Sequence, residues 1–133
     1  MTVDNTLFEK TLAKITALCC FEPTDLAGKT TLKQLAALIR LADLVISPDS
    51  GPAHIATTQN TPVIGLYAYH NPLRTAPYCD LENVVSVYEE NIRKERGKPS
   101  SELPWATKLQ KKNLMAEIQV KQVVEKMQKI GMI

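Results

Sequence analysis

The stretch Asp49-Ser50-Gly51-Pro52-Ala53-His54 gathers in six residues the side-chain types that hold an anion. Gly51 lets the backbone come close to a bulky anion, and Ser50 brings a hydroxyl donor. Pro52 suits the first turn of a helix, where its missing amide would have had no partner. The free amides of such a turn, together with the partial positive charge of a helix amino end, form a cradle for the oxygens of a diphosphate. His54, one turn in, can donate to a phosphate or sugar oxygen. Asp49 can orient the loop or accept from a sugar hydroxyl. The same residues admit a plainer reading, in which Asp49 and Ser50 cap the helix, Gly51 makes the turn and His54 packs half-buried. No Gly-x-Ser-x-Gly elbow surrounds Ser50, so a serine nucleophile finds no support and no residue is assigned a catalytic role. Ala27-Gly28-Lys29-Thr30 lacks the earlier glycine of a Walker phosphate loop.

A cradle of this kind requires a strand that delivers the chain to it and a helix that leaves it. Leu44-Val45-Ile46 is a short apolar run, expected as a strand covered on both faces, and it leads directly into Ser47-Pro48-Asp49. Residues 52–59 then read as a helix, residues 63–67 as a second buried strand and residues 84–87 as a third. Upstream, a capping box at Thr6–Glu9 followed by Leu7, Phe8, Leu12, Ile15 and Leu18 predicts a helix over residues 6–19. A second helix, capped by Thr30 or Thr31 and ending near Ala42, carries the stripe Leu32, Leu35, Ala36, Ile39 and Ala42. Downstream, Met115, Ile118, Val123, Val124, Met127 and Ile130 share one face of a closing helix near 114–130, ended by Gly131. The polar residues 89–112 read as a surface insertion with Trp105 as a packing anchor. Alternating helices and strands with short connections predict an α/β fold, a Rossmann-like parallel sheet with helices on both faces. Ligands bind such sheets at the carboxyl ends of the strands, where the Asp49–His54 stretch falls.

At 133 residues the chain fits a single domain. Its 44% hydrophobic and 23% charged content is that of an ordinary globular protein. A net charge of +2, with no basic face interleaved by aromatics, argues against nucleic acid as a partner. Cys19, Cys20 and Cys79 have no metal-type or redox spacing and are expected as small buried hydrophobes in a reducing compartment. No apolar run approaches the roughly 20 residues of a membrane helix, and the start Met1–Asp4 is unlike a signal peptide. The expected location is the cytoplasm, with at most peripheral contact to the inner membrane through Arg93, Lys94, Arg96 and Lys98, which read more simply as solvated.

The stretches Leu32–Ile39 and Ala42–Ala56, with Thr61–Tyr67, Asn71-Pro72 and residues 118–130, resemble glycosyltransferase family nine, to which lipopolysaccharide heptosyltransferases belong. The resemblance implies a GT-B enzyme, in which two Rossmann-like domains face each other across a cleft. These residues would be a partial carboxyl-terminal half, the nucleotide-sugar-binding side. Asp49, Ser50, Gly51, Pro52 and His54 match the diphosphate and sugar contacts, and Lys29, Thr30 and Thr31 fall where similar enzymes place the base and ribose. The implied donor is ADP-heptose or another nucleotide-sugar, with no cofactor and no metal. The stretch Tyr67–Pro72 departs from the glycine-containing segment usual there, which bears on sugar selectivity. His70 is a substrate contact or a loop residue. Relatives are more than twice as long and carry the acceptor site and general base on their other domain. This portion is therefore expected to bind without transferring, with a separate acceptor domain or a homodimer as partner. The alternative is a noncatalytic interaction module derived from the same fold.

Overall fold

The computed structural model describes residues 5–133, with the side chains of residues 5–9 and 12 outside that description. The expected Thr6–Glu9 capping box, the positions Leu7, Phe8 and Leu12, and the Met1–Asp4 start thus lie outside the described residues. Two compact units divide the chain, one ending at Leu32 and the other running from Lys33 to Ile133. In the first, α1 (Asn5–Leu18) is followed by a turn in which the Asp25 carboxylate accepts from the Ala27 amide at 2.9 Å. Gly28 closes it at φ +69°, a left-handed conformation that glycine adopts without steric cost.

From α2 (Leu32–Leu41) onward the order is β1 (Val45–Pro48), α3 (Gly51–Thr58), β2 (Val63–Tyr67), α4 (Pro72–Thr75), β3 (Val85–Ser86), α5 (Tyr88–Arg96) and α6 (Val120–Ile130). 3-10 turns lie at Tyr78–Asn83, which kinks at Asp80, and at Ser100–Glu102 and Leu114–Glu117. The three strands are parallel in the order β1-β2-β3, with Pro48 opposite Leu66 and Leu66 opposite Val85. Adjacent residues of a strand face opposite sides, and both Val63 and Ile64 are fully buried, so β2 is covered on both faces. β1 is not. It forms an edge, Ile46 is 47% exposed, and the expectation of a doubly covered first strand is corrected to β2.

Two apolar clusters hold the second unit. In the first, Ala53 and Ala56 of α3 pack against Ile39 of α2 and Val63 of β2, small side chains allowing close approach of helix to sheet. The buried Thr61 hydroxyl donates to the Ile39 carbonyl at 2.8 Å and ties α2 to the entrance of β2. In the second, Ala68, Val87, Tyr88, Ile92, Leu109 and Leu114 form one core.

That second core corrects three expectations. Residues 89–112 are not simply a surface insertion, because Tyr88 and Ile92, one turn apart, bury the face of α5, while Glu89–Arg93 and Glu90–Lys94 pairs line its outside. Gly97 ends that helix in the left-handed conformation at φ 69°. Trp105 is 59% exposed and anchors nothing; Leu109 and Leu114 do. The closing helix begins at Val120 rather than near residue 114, since Ile118 and Gln119 are extended and interrupt it. The cysteines are free but not buried: Cys19 is half-buried, Cys20 and Cys79 exposed. Among the described residues no helix is long and apolar enough to cross a membrane.

Candidate functional site

The bend after β1 is shaped by its own side chains. Ser50 is extended and stands at the amino end of α3, yet its hydroxyl makes no capping bond. It lies 3.3 Å from the Pro48 carbonyl, to which it donates, and 3.1 Å from the Ser47 hydroxyl. The buried Ser47 hydroxyl reaches the same carbonyl at 3.0 Å. The plain capping reading therefore fails for Ser50, which braces the bend instead. Pro52 has no amide to offer, and the Ala53 amide donates to the Ser50 carbonyl at 3.2 Å. The Gly51 amide is left without an acceptor among the described residues, and nothing lies within 4 Å of where a Cβ would stand on Gly51. His54, one turn on, is exposed rather than half-buried.

Asp49 does not cap the helix either. Its Oδ2 lies 3.1 Å from Nδ1 of His70, with the two side chains 27% and 36% exposed. A pair this open to solvent contributes about 0–1 kcal/mol, so it organises the site more than it stabilises the fold. The sheet explains the encounter. Pro48 pairs with Leu66 in parallel register, so Asp49 and the residues that follow Tyr67 leave the sheet at the same carboxyl end and bring their loops together. His70 is followed by Asn71, a buried residue whose side chain accepts from the Leu73 amide at 3.0 Å and caps α4. Sequence reasoning left His70 between contact and loop. The signal that finds it is its position just past the strand next to β1.

Tyr67 was not singled out by sequence. It is 1% exposed, and its hydroxyl has no hydrogen-bond partner. The ring lies over Gly65, where an added Cβ would come within 2.5 Å of it, so that glycine is required by packing. Burial, and secondarily the Asp49 carboxylate, push the phenol up to about 12. Between pH 10 and 12 the native state keeps a proton that the unfolded chain releases, so stability falls as pH rises through that window. Tyr67→Phe is expected to be neutral or to stabilise the protein by about 1 kcal/mol at pH 7, because a buried unpaired hydroxyl is costly. It should also flatten the decline between pH 10 and 12. Urea unfolding of both proteins at pH 7 and pH 11 checks this, and a marked loss at pH 7 would show that the hydroxyl has a partner.

The cluster of Asp49, Ser50, Gly51, Pro52, His54, Tyr67 and His70 is drawn entirely from the second unit. Lys29 and Thr30 belong to the first, as does the exposed Thr31 at its end. The Lys29 ammonium serves its own turn, 3.0 Å from the Asp25 carbonyl and 3.8 Å from its carboxylate.

The sequence matches the model of glycosyltransferase family 9 (heptosyltransferase) over residues 4–106. It is 76% identical over 119 residues to the lipopolysaccharide core heptosyltransferase OpsX of Haemophilus influenzae, a match covering 90% of this chain and 34% of that protein. It is 38% identical over 72 residues to lipooligosaccharide heptosyltransferase 2 of the same organism, covering 54% of this chain and 21% of the other. The crystal structure of a family 9 glycosyl transferase from Veillonella parvula shares the fold at a TM-score of 0.63 and 23% identity, over 91% of this chain and 33% of that one. The chain thus spans about a third of the length of OpsX. With the match running through all three strands and the bend after β1, the chain belongs to glycosyltransferase family 9, the heptosyltransferase family.

Proposed function

We propose that these 133 residues are the donor-binding portion of a heptosyltransferase acting in lipopolysaccharide core assembly, and that they hold the diphosphate of ADP-heptose or a related nucleotide-sugar. The observation that carries this reading is the Gly51 amide, without an acceptor among the described residues, on an exposed glycine at the amino end of α3 and the carboxyl end of β1. An anion there meets a hydrogen-bond donor and the positive end of a helix together. In this reading His54 donates to a phosphate oxygen, and Asp49, held by His70, accepts from a sugar hydroxyl. In the complete reaction an acceptor hydroxyl forms a bond to the anomeric carbon as the bond to the diphosphate breaks. Negative charge then grows on the leaving group, where a preorganised amide and helix end stabilise it. By itself the chain binds and does not transfer.

Calorimetric titration with ADP-heptose and ADP tests this. His54→Ala should weaken both ligands about tenfold, the usual loss for one bond to a charged group. Asp49→Ala should weaken ADP-heptose more than ADP, because it addresses the sugar. Equal binding by all three proteins removes the proposed site.

One observation favours the second reading, an interaction module: Ile46 is 47% exposed on the edge strand β1, and unpaired strand edges favour association. Light scattering separates the two, since a dimer indifferent to ADP supports association and a monomer that binds ADP supports the donor site.

A further inference from the structure

Beside His70, away from the Gly51 amide in sequence but in the same unit, a groove of about 470 Å³ is lined by Tyr69, His70, Lys108, Leu109, Lys111 and Lys112, among others. Its far wall is a short extended run held at both ends. The Leu109 amide donates to the Tyr69 carbonyl at 3.0 Å, and the Leu114 amide to the Tyr69 hydroxyl at 3.1 Å. Both leucines are buried, so the backbone between them is pinned and its polar side chains are turned to solvent. The Glu95 carboxylate accepts the Gln110 and Lys111 amides at 3.1 and 3.3 Å and fixes the middle of the run. Asn113 takes the left-handed conformation at φ 60°, turning the chain from the groove back into the core.

The charges on this wall are not balanced. Lys111 is neutralised by Glu117 at 2.9 Å, and Glu117 in turn accepts from the buried Asn91 amide at 2.8 Å. That Asn91 bond, and then Lys111, hold the Glu117 carboxyl below its ordinary range, so the pair is ionised at neutral pH. Lys108 and Lys112 have no carboxylate partner among the described residues, and no acidic residue lines the groove. Two uncompensated ammonium groups on one concave wall concentrate anions. His70 lines the same groove. Its Nδ1 is engaged by Asp49, which leaves Nε2 as the ring nitrogen for a ligand.

We infer that this groove is an anion subsite distinct from the bend at Gly51, taking a phosphate ester or carboxylate between Lys108 and Lys112, with His70 at its border. The subsite itself does not depend on the reading of the bend; the assignment of its source rests on the proposed function. Two sources offer that chemistry: the diphosphate of the donor, extended past the bend, and an acidic group on the sugar that receives the transfer.

Titrating inorganic phosphate into the isotopically labelled chain, with backbone amide shifts as the readout, tests the site. The expected response is at His70 and residues 108–113, with a dissociation constant on the order of 1 mM that rises with added chloride. The double variant Lys108→Ala with Lys112→Ala should weaken phosphate about tenfold or more while melting within about 2 °C of the parent, since both side chains are exposed. Two further titrations identify the source. If the double variant also loses affinity for ADP, the groove serves the donor; if ADP is unaffected and glucose 6-phosphate binding is lost, it serves a phosphorylated sugar. Phosphate shifts confined to Gly51–His54, an unchanged response in the double variant, or no response up to about 20 mM would overturn the inference. A groove response with none at Gly51 on adding ADP would instead overturn the reading of the bend.

Discussion

Ile92→Ala is expected to cost the fold about 3 kcal/mol, within the range of roughly 2–5 kcal/mol for truncating a buried aliphatic to alanine. Ile92 is fully buried and packs with Ala68, Val87, Tyr88, Leu109 and Leu114. Part of the loss is apolar surface returned to water. The rest is the cavity that two pinned leucines cannot close. Against a total stability of about 5–15 kcal/mol for a domain of this size, the effect is large. It also reaches the groove that His70 lines, because Leu109 and Leu114 tie its other residues to Tyr69 and Ala68 begins the segment that carries His70. Urea unfolding followed by circular dichroism should show a lower midpoint at similar slope, while Ile92→Val loses less than about 1.5 kcal/mol. A wild-type midpoint for Ile92→Ala would mean that α5 lies on the surface, as its charged residues alone suggest.

Gly51→Val should leave the fold intact and remove the binding of diphosphates. Nothing within 4 Å would meet a Cβ there, and the glycine is not in the left-handed region, so the added Cβ itself meets no obstacle. Its methyl groups, however, stand where a phosphate must approach the Gly51 amide. Loss of a charge-assisted bond and of close approach together should weaken ADP by about 30-fold or more, near 2 kcal/mol. Thermal unfolding alongside calorimetry checks both halves. Undiminished ADP affinity would take the amide out of the mechanism, and a collapse of stability would mean the bend tolerates no side chain. Gly65 is the contrasting case, for there the Tyr67 ring already occupies the space a side chain would need.

The bend and the elements flanking it were legible in the sequence because every instruction is local. An apolar run ends at Ile46, Pro52 opens a helix and Ala53 and Ala56 offer small packing positions one turn apart, so the expected boundaries of α3 and β2 lie within a residue of those observed. α5 was obscured because seven of its nine residues are polar or charged, and only Tyr88 and Ile92 announce a buried face. The opposite error occurred at residues 114–118. Met115 and Ile118 continue the helical stripe of α6 in spacing, but the backbone between them is a 3-10 turn followed by an extended residue.

From the order of its residues alone, this protein specifies a parallel α/β sheet and a tight turn into a helix at a strand end. Periodicity and helix-starting chemistry act over a few neighbours and are written wherever those neighbours are adjacent. Which residues face that turn was decided only on folding. Asp49 meets His70, and Tyr67 buries an unpaired hydroxyl beside them, because parallel pairing of β1 with β2 carries their ends to one edge of the sheet. Lys108 and Lys112 likewise come to His70 through the burial of Leu109 and Leu114, a long-range contact that no local spacing encodes.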